Sequence, residues 1–70
     1  MSRIPVSSSN IASVGYDSWS GTLEIGFHSG GVYQYYAVPH SEYAGLMGAG
    51  SYGSYFHAHI RSHYRYRRIR

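Results

Sequence analysis

Two glycine-bearing turns set close together constrain this chain more than any other feature in it. Ser18-Trp19-Ser20-Gly21 and Ser29-Gly30-Gly31 each supply a residue free to take the positive φ that tight hairpin loops often need. The segments around them carry a two-residue period. Ile11 to Asp17 alternates Ala12, Val14 and Tyr16 against smaller neighbours. Thr22 to His28 places Leu23, Ile25 and Phe27 on one side and Glu24 and His28 on the other. Val32 to Val38 is rich in β-branched and aromatic residues. Strands joined by loops this short run antiparallel, so residues 11–38 are predicted to form a three-stranded meander. In its third strand Val32, Gln34, Tyr36 and Val38 share one face, and Tyr33, Tyr35 and Ala37 share the other. The first row is the more apolar and is expected to face the core. Tyr33 and Tyr35 are then open, or buried against a second subunit; the alternative is that the helices cover their face and the two rings are core.

Pro39 has no N–H to give to a ladder and stops the sheet. Ser41 is placed to cap a short helix whose Tyr43, Leu46 and Met47 fall on one side. Gly45, Gly48 and Gly50 weaken that helix, and Gly50 is expected to end it. A second helix is predicted from near Ser51 or Ser54, with Tyr55, Phe56, Ile60 and His59 as its stripe. Tyr64 to Arg70 alternates again, as either a last edge strand or a basic tail. The fold class is therefore α+β: a three-stranded antiparallel meander, two short helices and a basic C-terminal strand or tail, in one domain over residues 1–70. A chain of this length buries only about 60% of its unfolded surface. It has no cysteine to staple it, so a homodimer is expected as the way to gain buried area. No stretch approaches the roughly 18 apolar residues of a membrane span. The first residues lack the apolar core of a secretion signal, which points to the cytoplasm.

Charge divides the chain. Residues 1–42 hold Arg3 against Asp17, Glu24 and Glu42, a net of about −2. Residues 43–70 hold Arg61, Arg65, Arg67, Arg68 and Arg70 with no acid, about +5. There is no lysine, whereas tyrosine occurs nine times. Arginine presents a flat fork that pairs with two phosphate oxygens and stacks on rings, and tyrosine adds a large face with a hydroxyl. Together they suit a ligand with anionic and flat parts.

The order and spacing of these pieces resemble one family. Val6-Ser7-Ser8, Ile11, Val14-Gly15-Tyr16-Asp17, Thr22-Leu23-Glu24-Ile25-Gly26-Phe27, Gly30, Val32-Tyr33-Gln34-Tyr35 and Val38-Pro39 are similar to the KTSC domain. Tyr43, Leu46, Ser51, Gly53, Tyr55-Phe56, Ile60 and Tyr64 continue the likeness, over residues 4–69. The sequence departs from the family pattern at His57, where asparagine is common, and in its glycine-rich helix. The resemblance implies a small module found alone or at the C-terminus of some lysyl-tRNA synthetases. It implies no established enzymatic activity, and RNA binding as the suggested role.

The candidate ligand-binding residues are Tyr33, Tyr35, His57, His59, Arg61, Tyr64, Arg65, Tyr66, Arg67 and Arg68. Tyr33 and Tyr35 sit about 7 Å apart along a strand, a spacing at which rings stack bases. The arginines pair with phosphates, Tyr64 and Tyr66 stack on bases, and His57 or His59 can donate to a phosphate. Ser7, Ser8, Ser9 and Asn10 offer further donors or form an ordinary lead-in loop. His59 and His63 stand four apart, but no cysteine or carboxylate completes a zinc set, so no metal and no cofactor is expected. Gly48-x-Gly50-x-x-Gly53 has phosphate-loop spacing but follows a predicted helix, not a strand. Three carboxylates distant from the histidines make a poor catalyst. The reading is a non-catalytic module that sequesters a small phosphorylated signalling nucleotide, linear or cyclic, as a phage would against bacterial nucleotide signalling. RNA binding is the alternative, and a protein–protein adaptor with tyrosine hot spots is the third.

Overall fold

The computed structural model describes residues 1–70. Its elements are β1 (Ile4–Pro5), β2 (Ile11–Asp17), β3 (Thr22–Phe27), β4 (Val32–Tyr35), α1 (His40–Met47), α2 (Tyr52–His59) and β5 (Tyr66–Arg68). Both turns form as their glycines require. Gly21 takes φ 70° and Gly30 φ 103°, with Gly21 N donating to Asp17 O at 2.8 Å and Gly30 N to Phe27 O at 2.9 Å. The meander β2-β3-β4 is extended at both margins into one antiparallel sheet of order β1-β2-β3-β4-β5. The C-terminal alternation is thus a strand, reached from β4 through the two helices. No helix is long and apolar enough to cross a membrane.

One irregularity in β2 sets the core. The ladder to β3 shifts between Ile11 and Ser13, leaving Ala12 as an extra residue. Ile11 and Val14 therefore point the same way although they are three positions apart. With Leu23, Ile25 and Tyr35 they meet Val38, Leu46, Phe56 and Ile60 in a single buried cluster. Each fully buried aliphatic side chain there contributes roughly 1.5–3 kcal/mol.

The facing of β4 is the reverse of the expected one. Tyr35 is 4% exposed in the core, its ring edge-on to Phe56 at 5.4 Å. Gln34 and Tyr36 lie on the opposite face, where Tyr36 Oη donates to Gln34 at 3.1 Å. Val38 nevertheless reaches the core, because the strand stops at Tyr35 and Ala37 takes a left-handed φ of 56°. That reversal lets Val38 N donate to Gly21 O at 2.9 Å. Helices lie only against the Tyr33–Tyr35 side, and that side became the interior.

The helices also differ in detail from expectation. α1 begins at His40 after Pro39, without a side-chain cap, so Ser41 is inside it. Ser51 caps α2, its Oγ accepting from Ser54 N at 3.2 Å. Phe56 is the buried residue of α2 and Ile60 follows its end, while His59 is exposed. Gly45 has a packing reason: a Cβ there would lie 2.8 Å from Tyr55 Cζ. Tyr55 crosses that gap to donate to Glu42 Oε1 at 2.7 Å, and Tyr64 donates to Glu42 Oε2 at 3.1 Å. One carboxylate thus ties α1 to α2 and to the segment entering β5.

The far face of the sheet is closed by the N-terminus. Ser2 and Arg3 cross a lane made by Gly15 and Gly26, where added Cβ atoms would lie 2.6 Å from Ser2 O and from Ser13 Oγ respectively. Arg3 Nε donates to Ser13 Oγ at 3.0 Å and its guanidinium pairs with Glu24. Glu24, 5% exposed, also accepts from Gln34 at 2.9 Å. Burial alone would raise its pKa, but the Gln34 and Arg3 hydrogen bonds and the Arg3 charge outweigh it, so the carboxyl sits below its ordinary value.

Candidate ligand-binding cleft

Every acid in the chain is already engaged. Asp17 accepts from Trp19 N and Ser20 Oγ in its own turn, at 3.0 Å each. Glu24 is bound by Arg3 and Gln34, and Glu42 by two tyrosines. The only ion pair is Arg3–Glu24. Arg61, Arg65, Arg67, Arg68 and Arg70 are all exposed and none meets an Asp or Glu side chain.

Arg61 stands over a cleft of about 630 Å³ between the core face of the sheet and α2. Phe27, Tyr33, Tyr35 and Phe56 form its apolar wall; Asn10, Ser29, His57, Arg61 and Ser62 supply polar groups; Tyr66 flanks it. The wall is built by register. β5 pairs Tyr66 with Tyr35 and Arg68 with Tyr33, so Tyr66 lies 5.6 Å from the Tyr35 ring and 5.9 Å from Tyr33. Tyr33 meets Phe27 edge-on at 5.7 Å. The Arg68 guanidinium lies 5.8 Å above the Tyr33 ring, with Nε donating to Arg70 O at 2.6 Å.

The polar rim is a donor surface. Arg61 Nη1 lies 3.2 Å from His57 Nδ1, one helical turn away. A guanidinium can only donate, so Nδ1 accepts and the imidazole carries its proton on Nε2, free to donate. Burial first, then the neighbouring Tyr33 and Tyr66, push the Tyr35 phenol up to about 12, partly offset by the Arg61 charge. The Tyr35 hydroxyl therefore remains a neutral donor at any physiological pH.

Of the ten residues singled out from sequence, Tyr33, Tyr35, His57, Arg61 and Tyr66 come together on this cleft, and Arg68 lies beside it on Tyr33. Tyr35 is too buried to stack a base, and Tyr66 lies across the Tyr33–Tyr35 gap, so the paired stacking platform expected on β4 does not exist. Tyr66, 59% exposed, offers the free ring. His59 is turned away, 4.3 Å from the Tyr55 ring. Tyr64 is half-buried and held by Glu42. Arg65 and Arg67 line a separate hollow on the other side of β5. Asn10, weighed as part of a lead-in loop, lies on the cleft. Ser29 and Ser62 were missed, since isolated turn serines carry no signal of a site. No group of three or more metal-ligating side chains forms.

A five-stranded antiparallel sheet backed on one face by two helices, with a donor-rimmed cleft between them, defines a small α+β module. The chain belongs to the KTSC domain family, whose pattern matches residues 7–64. A KTSC domain protein of Yersinia pestis, known as a crystal structure, superposes with a TM-score of 0.96 at 42% identity, over 99% of this chain and 97% of that one. An uncharacterised protein of Stutzerimonas stutzeri is 41% identical over 70 residues, 99% of each chain. A lysine–tRNA ligase of Trichormus variabilis is 39% identical over 54 residues, which are 77% of this chain and 10% of the ligase.

Proposed function

We propose that the protein is a non-catalytic module that captures a small phosphorylated nucleotide in the cleft and holds it by stoichiometric binding, acting in the cytoplasm. The observation carrying this reading is the set of arginines without carboxylate partners, one of which, Arg61, rims an aromatic-walled cleft. A phosphate beside Arg61 and the His57 Nε2–H receives charge-assisted bonds. A base lies against Tyr66, Tyr33 and Phe27. No acid lines the cleft, so none stands against the anion there and none is placed to act as a base.

Calorimetry with purine and pyrimidine nucleotides tests this. Arg61→Ala removes a charged hydrogen bond of roughly 1.5–3 kcal/mol, so affinity should fall by about tenfold or more. The nucleotide should be recovered chemically unchanged, and native mass spectrometry should count one per cleft. Affinity unaffected by Arg61→Ala, or nucleotide converted to product, contradicts the proposal.

RNA is the second reading, favoured by the likeness to part of a lysine–tRNA ligase. Contacts to several phosphates make affinity fall steeply as salt rises, whereas capture of one small nucleotide gives a flatter response.

A further inference from the structure

Arg65 and Arg67 take no part in the cleft. They line, with Tyr36 and Tyr66, a second hollow of about 480 Å³. Strand alternation places it on the other side of β5: Tyr66 and Arg68 pair with the cleft residues Tyr35 and Tyr33, while Arg67 pairs with Gln34 on the far face. The backbone there is well held, since Tyr36 N donates to Arg65 O at 2.9 Å. Glu24, the nearest acid on that face, is bound by Gln34 and neutralised by Arg3. Two arginines thus border one hollow with Tyr36, and neither has an Asp or Glu partner.

Tyr66 is the one residue shared by both hollows. β5 is an edge strand with β4 as its sole neighbour, so nothing in the sheet separates the hollows along its outer margin. The cleft has Arg61, the second hollow has Arg65 and Arg67, and both have tyrosine rings. We infer that the site is bipartite and that its ligand is a dinucleotide, one phosphate lying by Arg61 and a second by Arg65 and Arg67, with the linkage passing over Tyr66. This inference rests on the nucleotide reading of the cleft and names its ligand class. A single nucleotide fills only the first hollow, leaving Arg65 and Arg67 uncompensated.

The test is calorimetry with adenosine monophosphate and with the linear 5′-phosphorylated adenine dinucleotide, repeated with the guanine pair. Protein is wild type, Arg61→Ala, or Arg65→Ala combined with Arg67→Ala. All three arginines are exposed, and circular dichroism confirms that each variant keeps the fold. At least one dinucleotide should bind wild type about tenfold or more tighter than its mononucleotide. The Arg65→Ala/Arg67→Ala protein should bring it down to the mononucleotide's affinity and leave the mononucleotide unchanged, whereas Arg61→Ala should weaken both. A dinucleotide that binds no tighter than the mononucleotide, or a double variant that weakens both equally, overturns the bipartite site and leaves the cleft reading standing. If no mononucleotide and no dinucleotide binds wild type, the cleft reading itself fails and takes the inference with it.

Discussion

Replacing Gly15 by alanine in the middle of β2 should destabilise this protein, although glycine is ordinarily the poorer strand residue. In an unobstructed strand the change is worth roughly 0.5–1 kcal/mol in favour of alanine. Here the new Cβ would lie 2.6 Å from Ser2 O and 3.1 Å from Arg3 Cγ. The first obstacle is backbone, so the N-terminal arm must lift. Lifting it breaks the Arg3–Glu24 pair, in which the Glu24 side chain is 6% exposed and that of Arg3 26%. Stranding one charge of a buried pair costs about 3–5 kcal/mol. The lower end applies, because Arg3 is partly solvated and Gln34 still bonds the carboxylate. Subtracting the alanine gain leaves a net loss of about 2 kcal/mol. A chain of 70 residues has roughly 3.5–10 kcal/mol in total at 0.05–0.15 per residue, so the melting temperature should fall by about 10 °C. Urea unfolding followed by far-ultraviolet circular dichroism measures it; Trp19, 96% exposed, is a poor fluorescence reporter. In a chain lacking residues 1–3 the sign should reverse, with Gly15→Ala now stabilising by roughly 0.5–1 kcal/mol. Destabilisation in both backgrounds, or in neither, would refute the account of the glycine lane.

Further expectations concern titration and the Glu42 tether. Glu24 has its folded pKa held below the unfolded value, so its contribution is present above the ordinary carboxyl value of 4.5 and disappears as pH falls through the folded pKa. Arg3→Ala should flatten that acid limb in pH-dependent unfolding. Tyr35 is the opposite case: its phenol is raised from 10.0 to about 12, so its contribution is complete below pH 10 and declines as pH rises toward 12. Ultraviolet titration should show a late tyrosinate step that Tyr35→Phe removes. Tyr64→Phe deletes a bond to Glu42 and should lower stability by about 1 kcal/mol without changing nucleotide affinity; a loss of affinity would place Tyr64 in the site after all.

The divergence between expected and observed facing in β4 has a specific cause. Hydropathy favours the row containing Val32, Tyr36 and Val38, but Val38 leaves that row at the left-handed Ala37, and Gln34 and Tyr36 serve the polar network of Glu24. The Ala12 bulge likewise breaks the period-two pattern at Ile11. Neither carries a residue-type signal, since alanine has no preference for bulges or positive φ. The Glu42 tether and the arm over Gly15 and Gly26 join residues distant in the chain, beyond the reach of local pattern.

What the sequence determined by itself follows from local chemistry. Turn glycines and alternating side chains dictated the antiparallel meander, Pro39 its end, and the acid-free stretch 43–70 the concentration of positive charge. Tertiary structure alone decided which face of the sheet the helices cover and on which side each arginine lies. Packing chose the Tyr35 side as the interior, because Phe56, Leu46 and Ile60 can cover it while Arg3 and Glu24 neutralise the other. That choice divided the basic residues between two sides of one edge strand, with Tyr66 between them.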